Sequence, residues 1–244
     1  MGKLFGTDGI RGEANRYPMT PEIAFEVGRA MVHLFKKEGH RAMIIIGKDT
    51  RLSGYMLESS LEAGISSMGG NPYLVGVLPT PGIAFITQSM RADAGVVISA
   101  SHNPFQDNGI KIFGSDGYKL TDAQEETIED LILNHRLNEY LPPASGIGKA
   151  FRLEGVIGRY IVFVKNTFPR RLSMEGMKIV LDTANGATYR VAQDTFNELG
   201  ADVETIHKTP NGININDQCG SQHTERLRKT VVDNGAAIGL AFDG

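Results

Sequence analysis

Short apolar runs rich in Ile and Val alternate along this chain with longer stretches in which apolar residues return every three or four positions. The first pattern predicts buried strands and the second amphipathic helices. Met43–Ile46, Tyr73–Val77 and Ala94–Ser99 read as strands, and so do Lys178–Leu181, Val203–Ile206 and Ala236–Phe242. Thr20 is an N-cap with Pro21 in the first turn of a helix whose face is Ile23, Val27, Met31, Leu34 and Phe35, stopped by Gly39. Ser53 caps a helix that runs to Gly69-Gly70, and Thr80-Pro81 opens another. Thr121 and Gln124 form a capping box ahead of Ile128, Leu131 and Ile132. Later helices carry Ile157, Tyr160, Ile161, Val164 and Phe168, then span 187–199, closed by Gly200, and 224–234, closed by Gly235. The β-branched crowding at Ile161–Val164 pulls against its helical spacing.

This alternation predicts an α/β fold, with layered domains in which mixed or parallel sheets are flanked by helices. The second half reads β-α-β-α-β, the signature of a parallel sheet. At 244 residues the chain has room for two domains with cores of their own. Leu141-Pro-Pro-Ala-Ser-Gly-Ile-Gly148 is the best linker, giving domains 1–148 and 149–244. The chain stops at Asp243-Gly244 just past a strand, which is expected of a truncation at the start of an acidic loop.

A net charge of −3 gives no reason to expect nucleic acid or an anionic membrane as partner. The single Cys219 excludes an internal disulfide and fits a cytoplasmic protein. The start, Met1-Gly-Lys-Leu-Phe-Gly6, lacks a leader's apolar run and puts Gly6 where a myristoylation signal wants Ser or Thr. No stretch is long and apolar enough to cross a bilayer. The six histidines show no metal-ligand spacing, which argues against zinc.

The chemistry concentrates in Gly95-Val-Val-Ile-Ser-Ala-Ser101-His-Asn-Pro104, followed by Asp107-Asn-Gly-Ile-Lys111-Ile-Phe113. A buried strand ends in small polar residues, Pro104 and Asn108-Gly109 break the chain, and a return strand begins. That places Ser101 at the rim of a sheet, where α/β folds bind ligands. Ser101 suits acyl transfer, phosphoryl transfer or a plain turn. No G-x-S-x-G elbow surrounds it, and His102, as its neighbour on an extended segment, should point away, so acyl transfer ranks low. A phosphoserine needs cations nearby, and Asp243 offers one carboxylate for Mg²⁺. Lys111, between Ile110 and Ile112, faces away from the core and is either a proton donor or acceptor or an exposed strand lysine. Arg11, in the Gly-rich loop Phe5-Gly-Thr-Asp-Gly-Ile-Arg-Gly12, suits a phosphate, although no Walker spacing is present. Lys48 and Arg51 are phosphate contacts or simply cap and loop charges.

Three motifs together resemble the α-D-phosphohexomutase superfamily: Phe5–Gly12, Gly47-Lys-Asp-Thr-Arg-Leu-Ser-Gly54, and Ile98–Pro104 with Asp107–Lys111. The first is closer to the bacterial phosphoglucosamine mutase branch than to the phosphomannomutase/phosphoglucomutase branch. The likeness runs the length of the chain and covers the first two of the family's four domains, with phosphoglucomutase-like folds. It implies interconversion of glucosamine 6-phosphate and glucosamine 1-phosphate for UDP-N-acetylglucosamine and cell-wall synthesis. Ser101 is then the phosphoserine and glucosamine 1,6-bisphosphate the intermediate and activator. Mg²⁺ would sit on Ser101 and an aspartate loop of which Asp243 is present. Arg11 and Lys111 would serve in phosphate contact and proton transfer. His102 and Asn103 would line the phosphoserine site, with His102 among the catalytic residues and Asn103 among the phosphate contacts, and a homodimer would form through the first domain. The missing metal carboxylates imply that this chain alone is inactive. A neutral hexose phosphate substrate, or a non-catalytic phosphosugar-binding module, are the alternatives.

Overall fold

The computed structural model describes residues 4–244. Met1 to Lys3, where the leader and myristoylation readings begin, lie outside the described residues. Two compact units are formed, one of Met1–Lys48, Ser53–Ala100 and Gln106–Glu154, the other of Asp49–Leu52, Ser101–Phe105 and Gly155–Gly244. No helix among the described residues is long and apolar enough to cross a membrane.

The first unit is built on β1 (Ile10–Glu13), β2 (Met43–Lys48), β3 (Asn71–Val77), β4 (Ala94–Ile98), β5 (Asp107–Gly114) and β6 (Phe151–Arg152). Their order in the sheet is β1-β5-β4-β2-β3-β6. β2 runs parallel to β3 and β4, and β5 runs antiparallel to β4 and β1, so the sheet is mixed. Helices α1 (Pro21–Phe35), α2 (Ser53–Ser67), α3 (Thr80–Ser89) and α4 (Asp122–Leu133) complete the unit. Ile44, Ile46, Val96 and Ile98 from the strands share one core with Val27, Met31, Leu57 and Leu61 from α1 and α2. Those two helices approach so closely that a Cβ on Gly64 would lie 2.1 Å from the Phe25 carbonyl oxygen. Thr20 caps α1, and the Thr121–Gln124 box caps α4 in both directions.

The second unit holds α5 (Val156–Lys165), β7 (Lys178–Asp182), α6 (Val191–Glu198), β8 (Asp202–Ile206), α7 (Glu225–Asp233) and β9 (Ile238–Ala241). Its sheet is β8-β7-β9, parallel throughout, as the alternating pattern implied. The core is small: Ile179, Leu181, Ala192 and Ala201 are buried, with Phe196, Val203 and Leu240 packed against them.

Several elements differ from the sequence reading. Ile10–Glu13 is a strand paired with β5, where a loop was expected, because the glycine-rich stretch straightens against a neighbour far along the chain. The stretch 141–148 is folded onto the first unit. Arg41 donates to the Ile147 carbonyl (2.8 Å), and the Gly148 amide donates to the Ser66 carbonyl (2.8 Å). The first unit continues through β6, whose Phe151 ring stacks on Tyr73. α6 starts at Val191 rather than 187, because Ala184 and Asn185 hold left-handed φ angles of 53° and 49° and the chain turns before it coils. Ser53 opens α2 from inside the helix, with its hydroxyl accepting from Asn108 (2.9 Å). The crowded Ile161–Val164 run is helical, with Ile161 buried and Val162 and Phe163 exposed.

Candidate active site

β4 is buried at every residue, so the polar segment that follows it is thrown out at its carboxyl end. The Ser99 amide donates to the Gly109 carbonyl (2.9 Å), closing the neck of the loop that joins β4 to β5. At its tip Ser101 adopts φ +56°, a left-handed conformation that costs a non-glycine residue about 1–3 kcal/mol unless the surroundings impose it. They do impose it. Arg51 is fully buried, and its Nη2 donates to the carbonyls of Ser101 (3.1 Å) and Asn103 (2.6 Å). Asn216 Nδ2 donates to the same two carbonyls, at 2.9 Å each. Asp49, itself buried, pairs with the Arg51 guanidinium and accepts from the Arg51 amide (2.9 Å). The serine loop is thus gripped by its backbone carbonyls.

The Ser101 hydroxyl donates to Asp243 Oδ2, on the segment that follows β9. His102 does not point away. The left-handed turn brings its Nδ1 to 3.5 Å from Ser101 Oγ and 3.9 Å from Asp243 Oδ2. The aspartate bonds the serine directly, and the imidazole is not interposed between them, so the order of an acyl-transfer triad is absent. The buried Cys219 thiol is no competing nucleophile. Burial, then the Asp182 and Asp217 carboxylates, push it up to about 12.

Arg11 and Lys111 form a second group, within the first unit. β1 and β5 pair in register, Ile10 opposite Ile110 and Arg11 opposite Gly109. Ile110 and Ile112 are buried, and Lys111, between them, turns the other way as strand alternation requires. Asp8 Oδ2 receives both Arg11 Nη2 (2.5 Å) and Lys111 Nζ (2.7 Å). Burial pushes the Asp8 carboxyl up, but Lys111 and then Arg11 outweigh it and hold it below the usual carboxylate range. Gly9 makes the approach possible: it takes φ +84°, and a Cβ there would lie 2.4 Å from the Ile110 carbonyl oxygen. Two cations share one carboxylate here, which leaves an excess of positive charge suited to an anion.

The sequence-derived residues therefore gather in two sets: Ser101, His102, Asn103 and Asp243 in the second unit, Arg11 and Lys111 in the first. Lys48 is spent on the first unit's own stability, ion-paired with Glu58 and lying over the Tyr55 ring at 4.5 Å. Arg51 is a backbone clamp rather than a loop charge. Asn216 and Asp8 were not singled out from the sequence. Asp8 stood inside a quoted motif, but Asn216 sits in an asparagine-rich loop with no spacing to mark it.

The family model for phosphoglucomutase/phosphomannomutase, alpha/beta/alpha domain I, matches residues 2–139. The chain belongs to this family. It is 73% identical over its whole length to a phosphoglucosamine mutase of Syntrophobacter fumaroxidans and 64% identical to one of Syntrophus aciditrophicus. It covers 54% of each of those proteins, so the chain spans about half the length of the curated relatives it matches. Among solved structures, a phosphoglucomutase/phosphomannomutase family protein of Burkholderia thailandensis aligns with a TM-score of 0.83 at 25% identity. That alignment covers 99% of this chain and 52% of the other.

Proposed function

We propose that the natural full-length protein interconverts glucosamine 6-phosphate and glucosamine 1-phosphate, with Ser101 as the phosphoryl carrier. The observation that carries this reading is Ser101 itself, its carbonyl held by Arg51 and Asn216 and its hydroxyl bonded to Asp243. High identity to proteins named phosphoglucosamine mutase supports the choice of sugar. In the forward step the bond between phosphorus and Ser101 Oγ breaks, and a bond to a sugar hydroxyl forms as that hydroxyl loses its proton. The resulting glucosamine 1,6-bisphosphate turns over in the site and returns its other phosphoryl group to Ser101. Lys111 takes or gives the hydroxyl proton, Arg11 holds the non-reacting phosphate, and His102 and Asn103 line the phosphoserine. Such a reaction depends mainly on positioning and charge stabilisation, which is what a clamped loop supplies.

The donor set at Ser101 and Asp243 is oxygen only, and both side chains reach solvent, so it fits a hard divalent cation such as Mg²⁺. The phosphorylated Ser101 and Asp243 would hold it, and it would neutralise charge on the phosphoryl oxygens. We place the protein in the cytoplasm, supplying a cell-wall precursor, and expect a homodimer through the first unit.

The test is turnover by the full-length protein with Mg²⁺ and a catalytic amount of glucosamine 1,6-bisphosphate. Glucosamine 6-phosphate should be the preferred substrate, and Ser101→Ala should lower kcat at least about 1,000-fold, some 4 kcal/mol of barrier. Preference for glucose or mannose 6-phosphate would move the assignment to a neutral hexose. Binding without turnover of any of them would make the protein a phosphosugar-binding module.

A further inference from the structure

The carboxyl edge of the β8-β7-β9 sheet carries another cluster that the phosphoryl reaction does not use. Asp182 is the last residue of β7, His207 directly follows β8, and Cys219 lies in the loop leading to α7. One ligand atom from each lies within 4.8 Å of the other two. Asp182 and Cys219 are buried, and the His207 side chain is 14% exposed. We propose that these three residues bind a borderline-soft divalent metal ion, Zn²⁺ by preference, through carboxylate, imidazole Nδ1 and thiolate.

The strongest sign is an unsatisfied contact. His207 Nδ1 stands 3.0 Å from Asp182 Oδ1, yet this buried nitrogen makes no hydrogen bond. Two ligand atoms on one tetrahedral zinc lie roughly 3.3–3.7 Å apart, given bonds of about 2.0–2.3 Å. The pair stands a few tenths of an ångström closer than that, so an ion would need only a small parting of two side chains already facing each other without a hydrogen bond between them. The three ligands are also held from behind. Asp182 Oδ1 accepts from the Ala184 amide (2.9 Å), and Oδ2 accepts from the Gly220 amide (3.0 Å), next to Cys219. The His207 carbonyl accepts from the Thr183 hydroxyl (2.8 Å) and the Asn185 amide (2.6 Å). Supporting bonds of this kind orient metal ligands before the ion arrives. A mixed N, O, S set selects Zn²⁺ over Mg²⁺, which distinguishes this cluster from the oxygen donors at Ser101 and Asp243. The ligands are far apart in sequence and sit on three different segments, so histidine spacing gave no sign of them.

Two features oppose binding: the buried Cys219 thiol, beside the Asp182 and Asp217 carboxylates, must give up its proton to the ion's pull, and a cation stands at the imidazole. Arg226 Nη1 lies 3.4 Å from His207 Nε2, the nitrogen that must keep its proton when Nδ1 takes a metal. The experiment is a Co²⁺ titration of the metal-free, tag-free, reduced full-length protein, followed by absorption. A thiolate-to-cobalt charge-transfer band with tetrahedral d–d bands, saturating at one equivalent and bleached by Zn²⁺, is expected. Cys219→Ser should abolish the charge-transfer band, His207→Ala should weaken binding at least about tenfold, and Arg226→Ala should tighten it. Circular dichroism would establish that each variant is folded. Cobalt on oxygen ligands gives no sulfur band, so occupation of the Ser101–Asp243 pair cannot imitate this result. Absence of the band at millimolar Co²⁺, or its persistence in folded Cys219→Ser, would overturn the proposal.

Discussion

Two arginines in this molecule do opposite work. Arg51 is sealed from water and spends its guanidinium on Asp49 and on the carbonyls of Ser101 and Asn103. Arg11 is 31% exposed and shares the half-exposed Asp8 with Lys111. The first sets a backbone and cannot leave without stranding a buried carboxylate. The second belongs to a partly exposed group whose charge can be re-paired by an incoming anion. Both stand in polar motifs, so residue type alone does not separate a positioning group from a binding group. Burial and the atoms contacted do.

The contrast should be widest on removing each charge. Arg51→Ala strands Asp49 and should cost about 3–5 kcal/mol, read as a lowered urea midpoint. Asn216→Ala removes the second donor to the same carbonyls. It should cost only about 0.5–1.5 kcal/mol but lower kcat of the full-length protein about 10–100-fold with KM little changed. A fall confined to KM would mean that Asn216 binds substrate rather than holding the loop. Asp8→Asn should cost about 0–1 kcal/mol at low salt, and less as salt is raised. Because the Asp8 carboxyl is held below its usual range, its contribution is present above about pH 4 and fades as pH falls through the lowered value. The Asp8→Asn difference should therefore vanish in acid, as pH-dependent unfolding curves would report.

Much of the fold was legible where one local rule sufficed. Thr20 and the Thr121–Gln124 box mark helix starts by hydrogen bonds to residues three positions away, and Pro21 does so by its fixed φ. The parallel second sheet followed from apolar runs separated by amphipathic helices. Failures came where distant pairing decided the outcome. Ile10–Glu13 is a strand only because β5 is there, and 141–148 is ordered by Arg41, Ser66 and their neighbours. Ser101 stood out because a buried strand led to it. Of the groups that fix it, Arg51 stood in a quoted motif but its clamping role did not show there, and Asn216 carries no signature, since a carbonyl clamp has no fixed spacing. His102 was misjudged for a related reason: an extended chain was assumed through Ser101, whose φ is positive.

The central claim is that Ser101 carries the phosphoryl group, and mapping that group tests it most directly. Full-length protein would be freed of phosphate with excess glucosamine 6-phosphate, recharged with glucosamine 1,6-bisphosphate, and digested for peptide mass spectrometry. We expect one phosphate, on Ser101, gained from the bisphosphate and lost again to the monophosphate. A phosphate that settles on another residue, or a Ser101 that stays unmodified while turnover proceeds, would contradict the account.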